Sequence, residues 1–73
     1  MAAKVDYLVW VAPDGQEWRC NRTSYPFRCD WSLQGPKGNV IQTGMATSGK
    51  DQASVKRNAT RQARRVFKVM VGG

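Results

Sequence analysis

The chain has 73 residues, with 12 Lys and Arg against 5 Asp and Glu, a formal charge of +7 and no histidine. That length sets a ceiling of one small domain, 1–73, and leaves little material for a core. The missing histidine removes most hydrolase triads, His-ligated metal sites and the usual general base at neutral pH, so no catalytic residue, metal or other cofactor is expected.

Mean hydropathy is −0.56, and no apolar run approaches the ~18 residues that a membrane-spanning helix needs. The first six residues lack the charged, apolar and small-residue order of a leader. The chain is therefore expected to be cytoplasmic, with no membrane partner.

Four clusters of turn-forming residues punctuate the chain: Pro13-Asp14-Gly15, Thr23-Ser24-Tyr25-Pro26, Gly35-Pro36-Lys37-Gly38 and Thr47-Ser48-Gly49. They delimit four segments of strand length, about 5–12, 16–21, 27–34 and 39–46. The first and third clusters fit a three-residue hairpin loop, in which a type I turn is followed by a left-handed glycine. Counting outward from the first loop sets Trp10 opposite Trp18 and Leu8 opposite Cys20. Counting from the third sets Leu33 opposite Ile41, Trp31 opposite Thr43 and Cys29 opposite Met45. For the middle hairpin, the alignment that places Trp18 opposite Trp31 also brings Arg19 to Asp30 and Cys20 to Cys29.

Directly opposed residues share a sheet face. The register predicts a core face of Leu8, Trp10, Trp18, Cys20, Phe27, Cys29, Trp31, Leu33, Ile41 and Met45. The other face carries Arg19, Asn21, Arg28, Asp30, Ser32, Gln34 and Gln42, as a solvated antiparallel face should. The first strand departs from this pattern, because its outward residues are Tyr7, Val9 and Val11, an apolar stripe on an edge strand. Exposed apolar edges are liabilities unless covered. A homodimer through this strand, a bound ligand or a different register would each account for it.

The last segment, about 50–70, has a helical period. Val55, Ala59, Ala63, Val66 and Met70 recur at spacings of four and three on one stripe. Ser48 and Asp51 are spaced as in a capping box, with Asp in place of Glu. The expected fold is thus α+β, a four-stranded antiparallel meander followed by one amphipathic helix packed on one sheet face. From Lys50 onward seven cations face one acid, so this segment carries +6 and the preceding 49 residues carry +1.

Arg57, Arg61, Arg64, Arg65 and Lys68 fall on the helix side away from the apolar stripe. Cations on successive turns reach a row of acidic groups and release condensed counterions from a polyphosphate. A merely solvated helix face normally mixes signs, whereas no acid follows Asp51 here. Arg19, Arg22, Arg28 and Lys37 are the other basic candidates. Arg22, placed in the middle loop with Tyr25, is the first choice for a loop contact, and Arg28 is a second auxiliary. The three Trp belong to the core face, leaving Tyr7 and Tyr25 as the rings free to stack on bases. Cys20 and Cys29 are too few for a structural zinc site. They are expected as buried reduced thiols, with a cross-strand disulfide as the alternative.

The order of four antiparallel strands and then a helix resembles the repeat unit of Whirly-type and Pur-type single-stranded nucleic-acid-binding proteins. A shorter sheet followed by a helix is similar to the arm-binding domains of phage integrases. The resemblance is one of layout and implies a nucleic-acid partner, usually met by the sheet face, without transferring any residue. The sequence therefore supports two expectations. One is a small basic protein of low sequence specificity that contacts DNA or RNA phosphates through the Arg face. The other is a small protein-binding inhibitor or adaptor, for example one encoded by a phage, that docks its basic face or apolar edge strand on an acidic partner protein.

Overall fold

Three hairpins and a helix make up the chain in a computed structural model that describes residues 3–72. The strands are β1 (Lys4–Val11), β2 (Glu17–Tyr25), β3 (Arg28–Gln34) and β4 (Val40–Ala46), and the helix is α1 (Gln52–Gly72). The fold is α+β: one open antiparallel sheet in the order β1-β2-β3-β4, with α1 packed on one face.

The first and third turns form as their residues dictate. Gly15 and Gly38 take positive φ angles of 86° and 84°, a conformation that costs glycine nothing. Gly15 donates its N–H to the Ala12 carbonyl and Gly38 to the Gly35 carbonyl, closing matched three-residue loops. The first hairpin then pairs as counted, with Trp10 opposite Trp18 and Leu8 opposite Cys20.

The middle hairpin does not. β2 runs on to Tyr25, and only Pro26 and Phe27 turn the chain, so Tyr25 pairs with Arg28, Ser24 with Cys29 and Cys20 with Leu33. The expected oppositions of Trp18 to Trp31, Arg19 to Asp30 and Cys20 to Cys29 are absent. Thr23 and Tyr25 are good strand formers, and Ser24 is buried beside the Cys29 thiol, so the segment extends the sheet instead of looping out. Phe27 sits at the turn tip, 86% exposed, outside the expected core face. Cys20 and Cys29 are both free and buried, and burial pushes the Cys20 thiol up to about 11.

The third hairpin starts in the counted register, with Gln34 opposite Val40, and then slips by one at a bulge between Leu33 and Gln34. Leu33 therefore meets Gln42, Trp31 meets Gly44 and Cys29 meets Ala46. One residue of slip reverses the faces of everything beyond it. Ala46 enters the core while Met45 is exposed, and Gln42 leaves the outer face for the helix side. Ile41, at the bulge, stays partly buried against the core. Gly44 has a steric reason, since a Cβ there would overlap the Cζ2, Cε2 and Nε1 atoms of the Trp31 indole.

Along α1 the buried residues are Val55, Ala59, Ala63 and Phe67, spaced by four throughout. The inward stripe thus ends on Phe67, with Val66 half-buried and Met70 exposed. Small Ala59 and Ala63 let the helix backbone approach the sheet, and Phe67 fills the far end against Trp10 and Trp18, with ring centroids 5.3 and 5.6 Å away. Such tilted and edge-on contacts add to the area that each ring buries. Trp31 donates its Nε1–H to Gln62 Oε1 at 3.0 Å, satisfying the one polar atom of that ring. The helix cap is Asp51, not Ser48: its Oδ1 accepts the Ser54 N–H at 2.8 Å. Hydrogen bonds from the Ser54 backbone and side chain hold the Asp51 carboxyl below its ordinary value.

Candidate nucleic-acid interface

The helix packs over β2, β3 and β4 and leaves the helix side of β1 less covered. Between α1 and β1 runs a groove of about 700 Å³, in which seven of ten lining residues are cations: Arg22, Lys56, Arg57, Arg61, Arg64, Arg65 and Lys68. Helical spacing arranges the six on α1 in two rows. Lys56 and Arg64, with Thr60 between them, adjoin the core stripe and face the sheet. Arg57, Arg61 and Arg65 form the outer ridge, one turn and about 6 Å apart at 1.5 Å per residue, continued by Lys68.

The floor is polar at one end and aromatic at the other. Arg22, 11% exposed at its side chain, donates Nε and Nη2 to the two Asp6 carboxylate oxygens at 2.8 and 2.9 Å. Its Nη1 donates to Thr60 Oγ1 at 2.9 Å. Lys56 Nζ lies 2.7 Å from Asp6 Oδ2. Burial draws the Asp6 carboxyl upward, but the hydrogen bonds from Arg22 and Lys56 outweigh it and hold the group below its ordinary value. One carboxylate thus answers two cations and ties β1, β2 and α1 together. At the other end the Arg64 guanidinium lies 5.0 Å from the Trp10 ring centroid and 5.5 Å from that of Phe67, a cation–π contact that lays its stem along the groove wall.

Arg57, Arg61, Arg64, Arg65 and Lys68 therefore line one groove, and none of them is in an ion pair among the described residues. Arg22 shares the groove from a different position. It lies in β2 on the helix side of the sheet, not in a loop, and its guanidinium is held by Asp6 and Thr60. Arg28 is on the opposite sheet face, 3.1 Å from Asp30 Oδ1 and 4.2 Å above the Tyr25 ring. Tyr7, Val9 and Val11 project from β1 on that outer face and are exposed, with the Arg19 guanidinium 4.3 Å over Tyr7.

Sequence reasoning missed Lys56, Trp10 and Asp6 as parts of this site. The signal for Asp6 was within reach, because two more rungs along the correctly counted first hairpin bring Asp6 opposite Arg22. Among the described residues there is no group of three or more Cys, Asp and Glu side chains suited to a metal, and no helix is long and apolar enough to cross a membrane. No protein-family model, curated protein sequence or solved structure matches the chain.

Proposed function

We propose that this chain is a small nucleic-acid-binding protein that tracks the phosphate backbone in the groove between α1 and β1, with little sequence preference. One observation carries the reading: five cations on one helix converge on a single groove, and none of them is in an ion pair among the described residues. Their mutual repulsion is a cost that a partner of regular negative charge relieves. Arg57, Arg61 and Arg65 repeat at about 6 Å, which suits a periodic row of phosphates, and guanidinium groups fork onto phosphate oxygens. Arg22 and Lys56 add field from the floor while anchoring the scaffold.

An acidic protein surface is the competing partner. Stable protein interfaces usually centre on a buried apolar or aromatic anchor, whereas this groove offers only Ala53 and the mostly buried Trp10 among its cations. Low specificity is the expectation because Asn58 and Gln62, the amides beside the ridge, are engaged within the fold, Asn58 donating to the Ser48 carbonyl and Gln62 accepting the Trp31 Nε1–H, which leaves few free groups to pair with base edges.

The test is fluorescence anisotropy with single- and double-stranded DNA and RNA of mixed sequence, run beside an acidic polypeptide such as polyglutamate. Arg61→Glu combined with Arg65→Glu alters only ridge residues without an intramolecular ion pair, so folding should persist by circular dichroism. The expected result is nucleic-acid binding at low salt that this variant weakens at least tenfold, in line with the loss of two phosphate contacts. Equal binding by variant and parent, or binding of polyglutamate alone, would overturn the reading.

A further inference from the structure

The two edges of the sheet differ. β4 is interrupted by its bulge, the kind of irregularity that discourages strand addition. β1 pairs with β2 through eight consecutive rungs without a shift, contains no proline, and leaves its other side open at the end of the sheet. Its outward side chains, Val5, Tyr7, Val9 and Val11, are between 46% and 74% exposed. An uninterrupted, apolar-sided edge is a template for another strand.

We propose that the strand which covers it is β1 of a second copy of this chain, antiparallel and related by a two-fold axis through Leu8. The residue pattern selects this register. With Leu8 opposite Leu8, Val5 meets Val11 and Tyr7 meets Val9, so all four apolar side chains find apolar partners on one face. A one-residue slip brings Val9 beside Asp6 and Val11 beside Lys4. A two-residue slip leaves Val5 or Val11 beyond its apolar partners.

Charge fits the same register. Of the two charges on β1, Asp6 is already neutralised within its own copy by Arg22 and Lys56. The other, Lys4, falls opposite the uncharged Ala12 of the second copy, so no like charges meet across the seam. Lys4 is exposed, so its ammonium group stays in water at each end of the seam. Opposed residues share a face, which puts both helices on the same side of an eight-stranded sheet, their grooves flanking the dyad. The proposal does not depend on what fills the grooves.

The experiment joins mass to register. Light scattering is measured in ~0.3 M salt, where the Debye length is roughly 6 Å and repulsion between the helices is screened. The expected mass is twice the 8.2 kDa of the chain. Val5→Cys and Val11→Cys, both exposed positions, are then oxidised mildly, separately and mixed; the native Cys20 and Cys29 are buried. Opposed Cα atoms about 4.5–5.5 Å apart suit a disulfide, whereas position 5 of one copy is six residues, about 20 Å, from position 5 of the other. The mixture should give at least tenfold more cross-linked dimer than either variant alone. A mass of one chain throughout the range to ~100 μM would overturn the proposal. So would a dimer whose mixture cross-links no better than the separate variants.

Discussion

At the scale of single residues, Asp6 is the most heavily used carboxylate in the structure. It answers both Arg22 and Lys56, and its loss leaves a largely buried guanidinium with Thr60 as its one remaining side-chain partner among the described residues. Asp6 itself is 40% exposed, so solvent screening discounts the pair to about 1 kcal/mol. Asp6→Asn should therefore lower Tm at neutral pH by roughly 4–8 °C for a domain of this size. The pH dependence has a definite sign. Because the folded carboxyl titrates below its ordinary 3.8, the unfolded chain takes up the proton first as pH falls. The stabilisation is present in full above the unfolded value and is lost as pH falls through the folded one. Thermal melts from pH 7 to pH 2 should show a gap between parent and variant that is widest at neutral pH and closes below about pH 4. A gap that stays constant over the range would contradict this role for Asp6.

At the scale of elements, the bulge in the third hairpin decides which face each residue of β4 occupies. It brings Gly44 under the Trp31 ring, whose Nε1–H is held by Gln62. Gly44→Ala would force a Cβ into a ring that has little room to move, at a cost of about 2 kcal/mol. Thr43→Ala, on the exposed side one residue earlier, should change stability by less than ~0.5 kcal/mol. Chemical denaturation followed by Trp fluorescence compares the two directly; equal midpoints would show that the close approach is not needed. The same bulge marks the limit of what the residues disclose. The first hairpin was legible because Pro13-Asp14-Gly15 specifies one loop and the pairing follows by counting. The middle one was not, because a pairing of large aromatics looked decisive while a two-residue turn set the register. Nothing in the turn before β4 announces a bulge one rung later, and only the adjacent apolar Val40 and Ile41 hint at it. On α1 the apolar period disclosed the helix, and an unbroken spacing of four from Val55 ends on Phe67 where a mixed spacing ends on Met70.

At the scale of the molecule, charge and apolar surface are segregated. The helix and its groove hold most of the positive charge, while β1 presents its apolar stripe on the far side of the sheet. The Arg rows were legible in the helical period. The groove was not, because how a helix crosses a sheet depends on which side chains meet, here Phe67 against Trp10 and Trp18, and the period is silent on that. The placement of Arg22 in the floor likewise depended on the true extent of β2. Five groove cations in no ion pair among the described residues make a quantitative demand on binding: each neutralised phosphate releases condensed counterions, giving a slope in log K against log salt of about −0.9 per contact on duplex DNA and about −0.7 on a single strand. The direct test is that slope, measured by anisotropy from 50 to 300 mM salt for the parent chain and for the Arg61→Glu, Arg65→Glu variant. Engagement of Arg57, Arg61, Arg64, Arg65 and Lys68 with phosphates should give a parent slope between about −3 and −5, shallower by roughly 1.5–2 in the variant. A slope near zero, or one that the variant leaves unchanged, would contradict a phosphate-tracking groove.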